Sequence, residues 1–127
     1  MLQPPDVKVL VADDEKAIAD TLAVILTKAG FETRAVYSGE AAVEMAERFR
    51  PNMLISDVIM PGTSGIDAAI QIGKMLPTCK ILLFSGQAET VDLLENARAQ
   101  GHVFEILAKP VHPVDLLARL RNSAVVA

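Results

Sequence analysis

Five side chains that could take part in chemistry follow short apolar segments of the chain. In chain order they are the carboxylates of the pair Asp13-Asp14, the carboxylate of Asp57, the hydroxyl of Ser85 and the ammonium of Lys109. One aspartate after a strand is usually a cap or a turn residue. Because several segments end in this way, a shared site is the better interpretation, provided that the fold brings the segment ends together.

The chemistry that these residue types support is phosphoryl transfer. Carboxylates of Asp13, Asp14 and Asp57 at one place repel one another, and a cation with oxygen ligands, most simply Mg²⁺, would keep them ionised together. Lys109 could neutralise a phosphoryl oxygen and the hydroxyl of Ser85 could donate to another, which is the positioning and charge neutralisation that the reaction needs. We expect Asp57 to be the nucleophile, because it would lie nearest the metal and still present a free carboxylate oxygen.

Length and composition favour one domain over residues 1–127, with loose ends at 1–5 and 123–127. The chain has 127 residues, 51% hydrophobic and only 4% aromatic, which suits an aliphatic core of helices on a parallel sheet. Its net charge is −4, without a Lys/Arg cluster, so we expect no direct binding of nucleic acid. No apolar stretch reaches the ~18 residues of a membrane span. The single Cys79 is typical of a reduced thiol in a cytoplasmic protein.

Strands and helices alternate five times along the chain. The predicted strands are 7–12, 31–36, 52–57, 80–84 and 103–108. The predicted helices are 15–29, 38–49, 66–75, 89–100 and a last one from Pro113. We expect Val91, Leu94 and Ala97 to lie on the inward face of the fourth helix, and Val114, Leu117 and Leu120 on that of the last. Such alternation predicts a doubly wound α/β fold, whose ligands bind beyond the carboxyl ends of its parallel strands.

The chain resembles the receiver domain of bacterial two-component response regulators, and in particular the chemotaxis-type single-domain members. The features that carry the resemblance occur in the family's order, and they are Asp13-Asp14, Asp57, Met60-Pro61-Gly62 with Gly65, Ser85-Gly86 and Lys109-Pro110. The resemblance covers the chain from Val7 to about Arg121. It implies a flavodoxin-like five-stranded parallel sheet, of strand order 2-1-3-4-5, with five helices.

The resemblance also implies a role for each matching residue. Asp57 is similar to the phosphoacceptor, and the metal site would hold Mg²⁺ through Asp13, Asp14, Asp57 and the backbone carbonyl of Ile59. Ser85 corresponds to the switch hydroxyl and Lys109 to the phosphoryl partner, and Pro110 matches a proline that follows a cis peptide. The phosphoryl donor would be a phosphohistidine on a sensor histidine kinase or a phosphotransfer protein.

Ile106 departs from the family, because this switch position usually holds tyrosine or phenylalanine. Phe104 has the same parity along the predicted strand, but it lies two positions earlier and is a poor substitute. His112-Pro113 stands where the last helix usually begins with a small polar cap. We therefore expect the signal to leave through Ser85-Gly86-Gln87 and the following helix.

Two other functions stay open from the sequence, besides a phosphorylation-controlled switch that catalyses only its own phosphorylation and dephosphorylation. One is an adaptor that binds partners without phosphate, although the five chemical side chains argue against it. The other is a Mg²⁺-dependent phosphohydrolase of the haloacid-dehalogenase type, but such enzymes resemble one another in a second aspartate where this chain has Ile59. The output partner is not named by the sequence, and charged residues of the last two helices could form a partner or dimer surface.

Overall fold

The computed structural model describes residues 7–86, 90–109 and 112–125, and within them strands and helices alternate. The strands are β1 (Lys8–Ala12), β2 (Glu32–Val36), β3 (Met53–Asp57), β4 (Lys80–Ser85) and β5 (Glu105–Ala108). The helices are α1 (Lys16–Lys28), α2 (Gly39–Phe49), α3 (Gly65–Met75), α4 (Thr90–Ala99) and α5 (Pro113–Val125). The first four strands lie within one residue of their predicted bounds. The predicted loose end 1–5 and the last residues of the predicted loose end 123–127 lie outside the described residues, as does the predicted start of the fourth helix at Glu89.

All strand pairs are parallel, in the order β2-β1-β3-β4-β5, which confirms the predicted fold. The register decides which side chains meet at the carboxyl edge of the sheet. Ala12 is paired with Ser56, so Asp13 and Asp57 follow neighbouring positions. Ser85 is paired with Ala108, so Lys109 follows β5 at the same level.

The core lies on both faces of the sheet, because successive side chains of a strand point to opposite sides. Leu10 and Leu54 contribute to the layer under α2 and α3, and Val9 and Ile55 contribute to the layer under α1 and α5. β1 and β3 are therefore almost wholly buried, whereas the edge strand β2 alternates between exposed and covered residues. This difference is the one expected between central and edge strands of a doubly wound sheet.

The fifth strand is shorter than predicted, because its pairing with β4 begins only at Glu105. Val103 is 70% exposed, and the ring of Phe104 stacks on that of His102 with centroids 6.4 Å apart. Phe104 thus precedes β5, although it packs against the same core layer as Ile106, as the shared parity predicted.

The inward faces predicted for α4 and α5 are wrong at one residue each. Val91 is 53% exposed and Val114 is 78% exposed. In α5 the fully buried residues are Leu116 and Leu120, which are four positions apart and share a face. Val114 lies two positions before Leu116, a rotation of about 200° around the helix, and so it points to solvent.

No helix within residues 7–86, 90–109 and 112–125 combines the length and the apolar character that crossing a lipid bilayer requires.

The first residue of α3 packs directly against the backbone of the site. Gly65 donates its N–H to the carbonyl of Val58 at 2.9 Å, and a Cβ at this position would collide with the carbonyl oxygen of Asp57. The hydroxyl of Ser56 is buried and donates to the same Asp57 carbonyl at 2.9 Å. The β3 end and the α3 start are thus held together without room for a side chain.

We expect Gly65→Ala to lower the free energy of unfolding by about 1–3 kcal/mol, the usual cost of overpacking a tight site. Gly73→Ala in the same helix is the matched control, because a Cβ there would make an ordinary 3.7 Å contact with Ile81. The control should raise stability by about 0.5–1 kcal/mol, since alanine is the better helix former. Urea unfolding of both variants measures the difference, and equal stability of the two would contradict the packing described for Gly65.

Candidate functional site

The loops that follow β1, β3, β4 and β5 meet at one edge of the sheet. Two hydrogen bonds across this edge fix their relative positions. Val58 N–H donates to the carbonyl of Phe84 at 3.1 Å, and Lys109 N–H donates to the carbonyl of Ser85 at 3.1 Å. The predicted site residues that the structure describes are therefore brought to one edge by backbone pairing.

One carboxylate oxygen from each of Asp13, Asp14 and Asp57 lies within 4.8 Å of the others. Asp13 is fully buried at the bottom of this cluster and Asp14 is exposed at its rim. The Asp57 side chain is 13% exposed, so it is covered but still reachable from solvent. The cluster is therefore an acidic pocket that opens outward.

Asp13 uses its two carboxylate oxygens differently. Oδ1 accepts the N–H of Glu15 at 2.9 Å, whereas Oδ2 is buried without a hydrogen-bond partner among the described residues. Burial raises the pKa of Asp13 from its ordinary value, and the charges of Asp57 and Asp14 add to this, against the hydrogen bond from Glu15 and the charge of Lys109. A buried acceptor that lacks a donor is a position where a cation would be stabilising.

Lys109 supplies the positive charge of the site. Its Nζ lies 3.1 Å from Asp57 Oδ2 and 3.7 Å from Asp13 Oδ2. Partial burial of the ammonium lowers the pKa of Lys109, but the hydrogen bond to Asp57 and the charges of Asp57, Asp13 and Glu15 outweigh burial, so the pKa is raised. Lys109 is thus held as an ammonium ion, and its single charge interacts with the carboxylates of Asp57, Asp13 and Glu15.

The donor set fits a hard divalent cation. Carboxylate oxygens are the ligands that Mg²⁺ takes, and Mg²⁺ also keeps several waters, which the exposed rim at Asp14 allows. Two observations favour the fit, namely the buried Oδ2 of Asp13, which lacks a hydrogen-bond donor among the described residues, and the excess of negative charge over the single ammonium of Lys109. Asp13, Asp14 and Asp57 are the residues that would hold the ion.

The remaining predicted site residues lie around this pocket. Ser85 is the half-buried last residue of β4, and Ile59 is half-buried in the loop two residues after Asp57. Ile106 is half-buried on β5 opposite Leu83. Pro110, whose peptide was expected to be cis, and Gln87 of the expected signalling loop lie outside the described residues.

Arg119 has a role that sequence analysis missed. Its guanidinium pairs with Glu105 at 2.8 Å and donates to the carbonyl of Ile106 at 3.3 Å. α5 is thereby tied to the strand that carries the predicted switch position. The partners are 14 and 13 positions away in the sequence, so no local spacing could have indicated the contact.

Comparison with known proteins agrees with this arrangement. The family model described as the response regulator receiver domain matches residues 9–121. Among curated proteins, the chain is similar to the transcriptional regulatory protein PdtaR of Mycobacterium tuberculosis (strain ATCC 25618 / H37Rv). The two are 38% identical over 113 residues, which make up 87% of this chain and 53% of PdtaR. The chain spans about half the length of the curated relatives it matches.

Solved structures with the same fold include a response regulator receiver domain protein from Clostridium thermocellum. It is 28% identical, with a TM-score of 0.82, and the alignment covers 93% of this chain and 94% of that one. The chemotaxis protein CheY4 of Vibrio cholerae is 27% identical, with a TM-score of 0.79, and the alignment covers 92% of this chain and 98% of CheY4. The family match over residues 9–121 and these neighbours show that the chain belongs to the response regulator receiver domain family of two-component signalling.

Proposed function

We propose that the chain is a phosphorylation-controlled switch that accepts a phosphoryl group on Asp57. The donor would be a phosphohistidine of a sensor histidine kinase or a phosphotransfer protein in the cytoplasm. The observation that carries the proposal is the 3.1 Å contact between Lys109 Nζ and Asp57 Oδ2 inside a cluster of three carboxylates. The ammonium of Lys109 thus lies beside an oxygen of Asp57, whose side chain is 13% exposed and so can be reached by a donor.

In the proposed reaction an oxygen of Asp57 attacks the phosphorus of the phosphohistidine. The new O–P bond forms as the P–N bond breaks, and the histidine leaves as a neutral imidazole after it takes up a proton. Lys109 stabilises the negative charge on one phosphoryl oxygen, and Ser85 is proposed to donate to another. Bound Mg²⁺ would neutralise charge on the remaining phosphoryl oxygen.

Asp13 and Asp14 are proposed to hold Mg²⁺ together with Asp57, and Ile59 to contribute its backbone carbonyl. Hydrolysis of the acyl phosphate would reset the switch, so the chain would act on its own phosphoryl group alone. The position that would need an acid–base aspartate for turnover of external phosphoesters holds Ile59, which is half-buried and cannot transfer a proton. Relatives are named as transcriptional regulators, which supports an output through a partner or an attached module.

The proposed output face lies on the side of α4 and β5. The exposed side chains of Val91 and Val103 flank a groove of about 230 Å³ beside Leu94, Phe104 and Ile106. Exposed apolar residues that surround a groove are typical of a contact surface for another protein. An output partner or a second copy of the chain would bind here.

Phosphorylation of wild-type protein with Mg²⁺ and acetyl phosphate should add one base-labile phosphoryl group, and Asp57→Ala should abolish it. The reason is that the Asp57 carboxylate is the one in contact with the ammonium of Lys109 and accessible to a donor. Intact-mass spectrometry measures the modification. Asp67→Ala, a change of an exposed aspartate on α3, is the control that should retain it. Modification of the Asp57→Ala variant would show that the phosphoacceptor is elsewhere.

Asp13→Asn should stabilise the metal-free protein while it weakens Mg²⁺ binding. The raised pKa of Asp13 means that its ionised form costs stability, and this cost is present at neutral pH and disappears as the pH falls through the folded-state pKa. Asparagine removes the charge but can still accept from Glu15, so unfolding should cost on the order of 1 kcal/mol more. Mg²⁺ affinity should fall about tenfold or more.

Thermal unfolding in a chelator and calorimetric Mg²⁺ titration measure the two effects of Asp13→Asn. Asp67→Asn serves as the control. It should not raise the metal-free stability, and it should leave the Mg²⁺ affinity unchanged. A variant at Asp13 that loses stability in the chelator would contradict the electrostatic account of the pocket.

The switch is proposed to work through Ser85 and α4 rather than through Ile106. Gly86 follows Ser85 directly and lies beside the stem of Lys109, where an added Cβ would be only 3.0 Å from that of Lys109. Ile106, by contrast, has a β-branched side chain of restricted rotamers, and its carbonyl is held by Arg119.

Amide NMR shifts on adding beryllofluoride with Mg²⁺ should therefore be largest from Ser85 to Leu94. They should decrease toward Ile106 and Leu117. Asp57→Ala treated in the same way is the control and should show no such shifts. Largest shifts at Phe104 and Ile106, with a change of the Phe104 rotamer, would mean that Phe104 performs the switch.

A further inference from the structure

The start of α2 lies against the loop between β3 and α3, residues 58–64, which we call the β3–α3 loop. Glu40 Oε2 accepts the N–H of Thr63 at 3.2 Å. Gly39 is buried so close to the carbonyl oxygen of Thr63 that a Cβ there would collide with it. The Glu40 carboxylate also lies against Gly62, which has a φ of 76°. Two glycines thus allow the first turn of α2 to approach the loop.

Glu40 is suited to remain an ionised acceptor at this place. It lies in the first turn of α2, where the helix dipole favours a negative charge. Hydrogen bonds from its own backbone N–H and from that of Thr63 lower the pKa of Glu40. Ser38 caps the same helix by accepting the N–H of Ala41 at 3.0 Å, so the carboxylate of Glu40 is left for the loop.

The β3–α3 loop carries Ile59, and its two halves are held in different ways. The inner half is fixed by the fold, because Gly65 donates to the Val58 carbonyl at 2.9 Å and Met60 is 5% exposed. The outer half, at Pro61 and Gly62, is exposed to solvent. The bond from Thr63 to Glu40 connects this exposed half to a helix that is itself packed on the sheet.

We propose that Glu40 is a positioning residue for the metal site. Through Thr63 it holds the β3–α3 loop in the conformation in which the carbonyl of Ile59 can bind Mg²⁺ beside Asp57. The inference rests on the proposed function, because it assigns Ile59 the carbonyl ligand of that site. It differs from a helix cap in that Glu40 also accepts the N–H of Thr63, which belongs to the loop.

Three variants separate the hydrogen bond from the charge of Glu40. Glu40→Ala removes the acceptor and the charge, and Glu40→Gln keeps an acceptor without the charge. Glu44→Ala removes an exposed carboxylate one turn further along α2 and is the matched control. Calorimetry gives the Mg²⁺ dissociation constant, and NMR gives the amide exchange rate of Thr63 in metal-free protein.

We expect Glu40→Ala to weaken Mg²⁺ binding and to speed Thr63 exchange by about two- to tenfold each, the factor that corresponds to one net hydrogen bond. Glu40→Gln and Glu44→Ala should match the wild type within about twofold, because both leave an acceptor for Thr63. Unchanged Mg²⁺ affinity in Glu40→Ala would overturn the inference, as would a Glu40→Gln variant that is as weak as Glu40→Ala. Wild-type protein that binds no Mg²⁺ would instead overturn the proposed function, so the two failures are distinguishable.

Discussion

Mutual repulsion among the carboxylates of Asp13, Asp14 and Asp57 is the constraint on which the rest of the site depends. One oxygen of each lies within 4.8 Å of the others, and the ammonium of Lys109 contacts only two of the three side chains. Burial adds to the electrostatic cost at Asp13, whose Oδ2 has no hydrogen-bond donor among the described residues. The single ammonium of Lys109 does not balance these carboxylates, so further positive charge bound in the pocket would be stabilising. The fold therefore creates a site that favours a cation next to the proposed phosphoacceptor.

The sheet satisfies this constraint by making the approach of the carboxylates a consequence of backbone pairing. The parallel register places Ala12 beside Ser56, so the residues that follow each must lie together at the carboxyl edge. The close contact of Gly65 with the Asp57 carbonyl, and the hydrogen bond from Ser56 to that carbonyl, keep the end of β3 from moving away. The cost of bringing like charges together is thus met by hydrogen bonds and core packing elsewhere in the domain.

The sequence predicted the strands, their parallel arrangement and the meeting of Asp13, Asp57 and Lys109, because each is encoded by local hydrophobic period and by the residue at a segment end. It did not predict that Phe104 precedes β5 or that Arg119 holds the Ile106 carbonyl. The length of an edge strand is set by the neighbouring strand with which it pairs, and a contact between α5 and β5 depends on packing. Both are tertiary properties, which local pattern does not contain. The residues that meet at the site were accessible from sequence, whereas the contacts that tie β5 to α5 were not.

The central claim is that the acidic pocket is completed by a divalent cation, and thermal unfolding in MgCl₂ against NaCl of equal ionic strength tests it most directly. Ligand binding to the folded state raises stability by RT ln(1 + [L]/Kd), whereas screening of surface charge depends on ionic strength. The unfolding temperature of the wild type should increase with Mg²⁺ concentration well beyond the increase in matched NaCl. This excess should disappear when Asp13, Asp14 and Asp57 are together replaced by asparagine. Equal unfolding temperatures in the two salts, or an excess that survives the triple replacement, would contradict it.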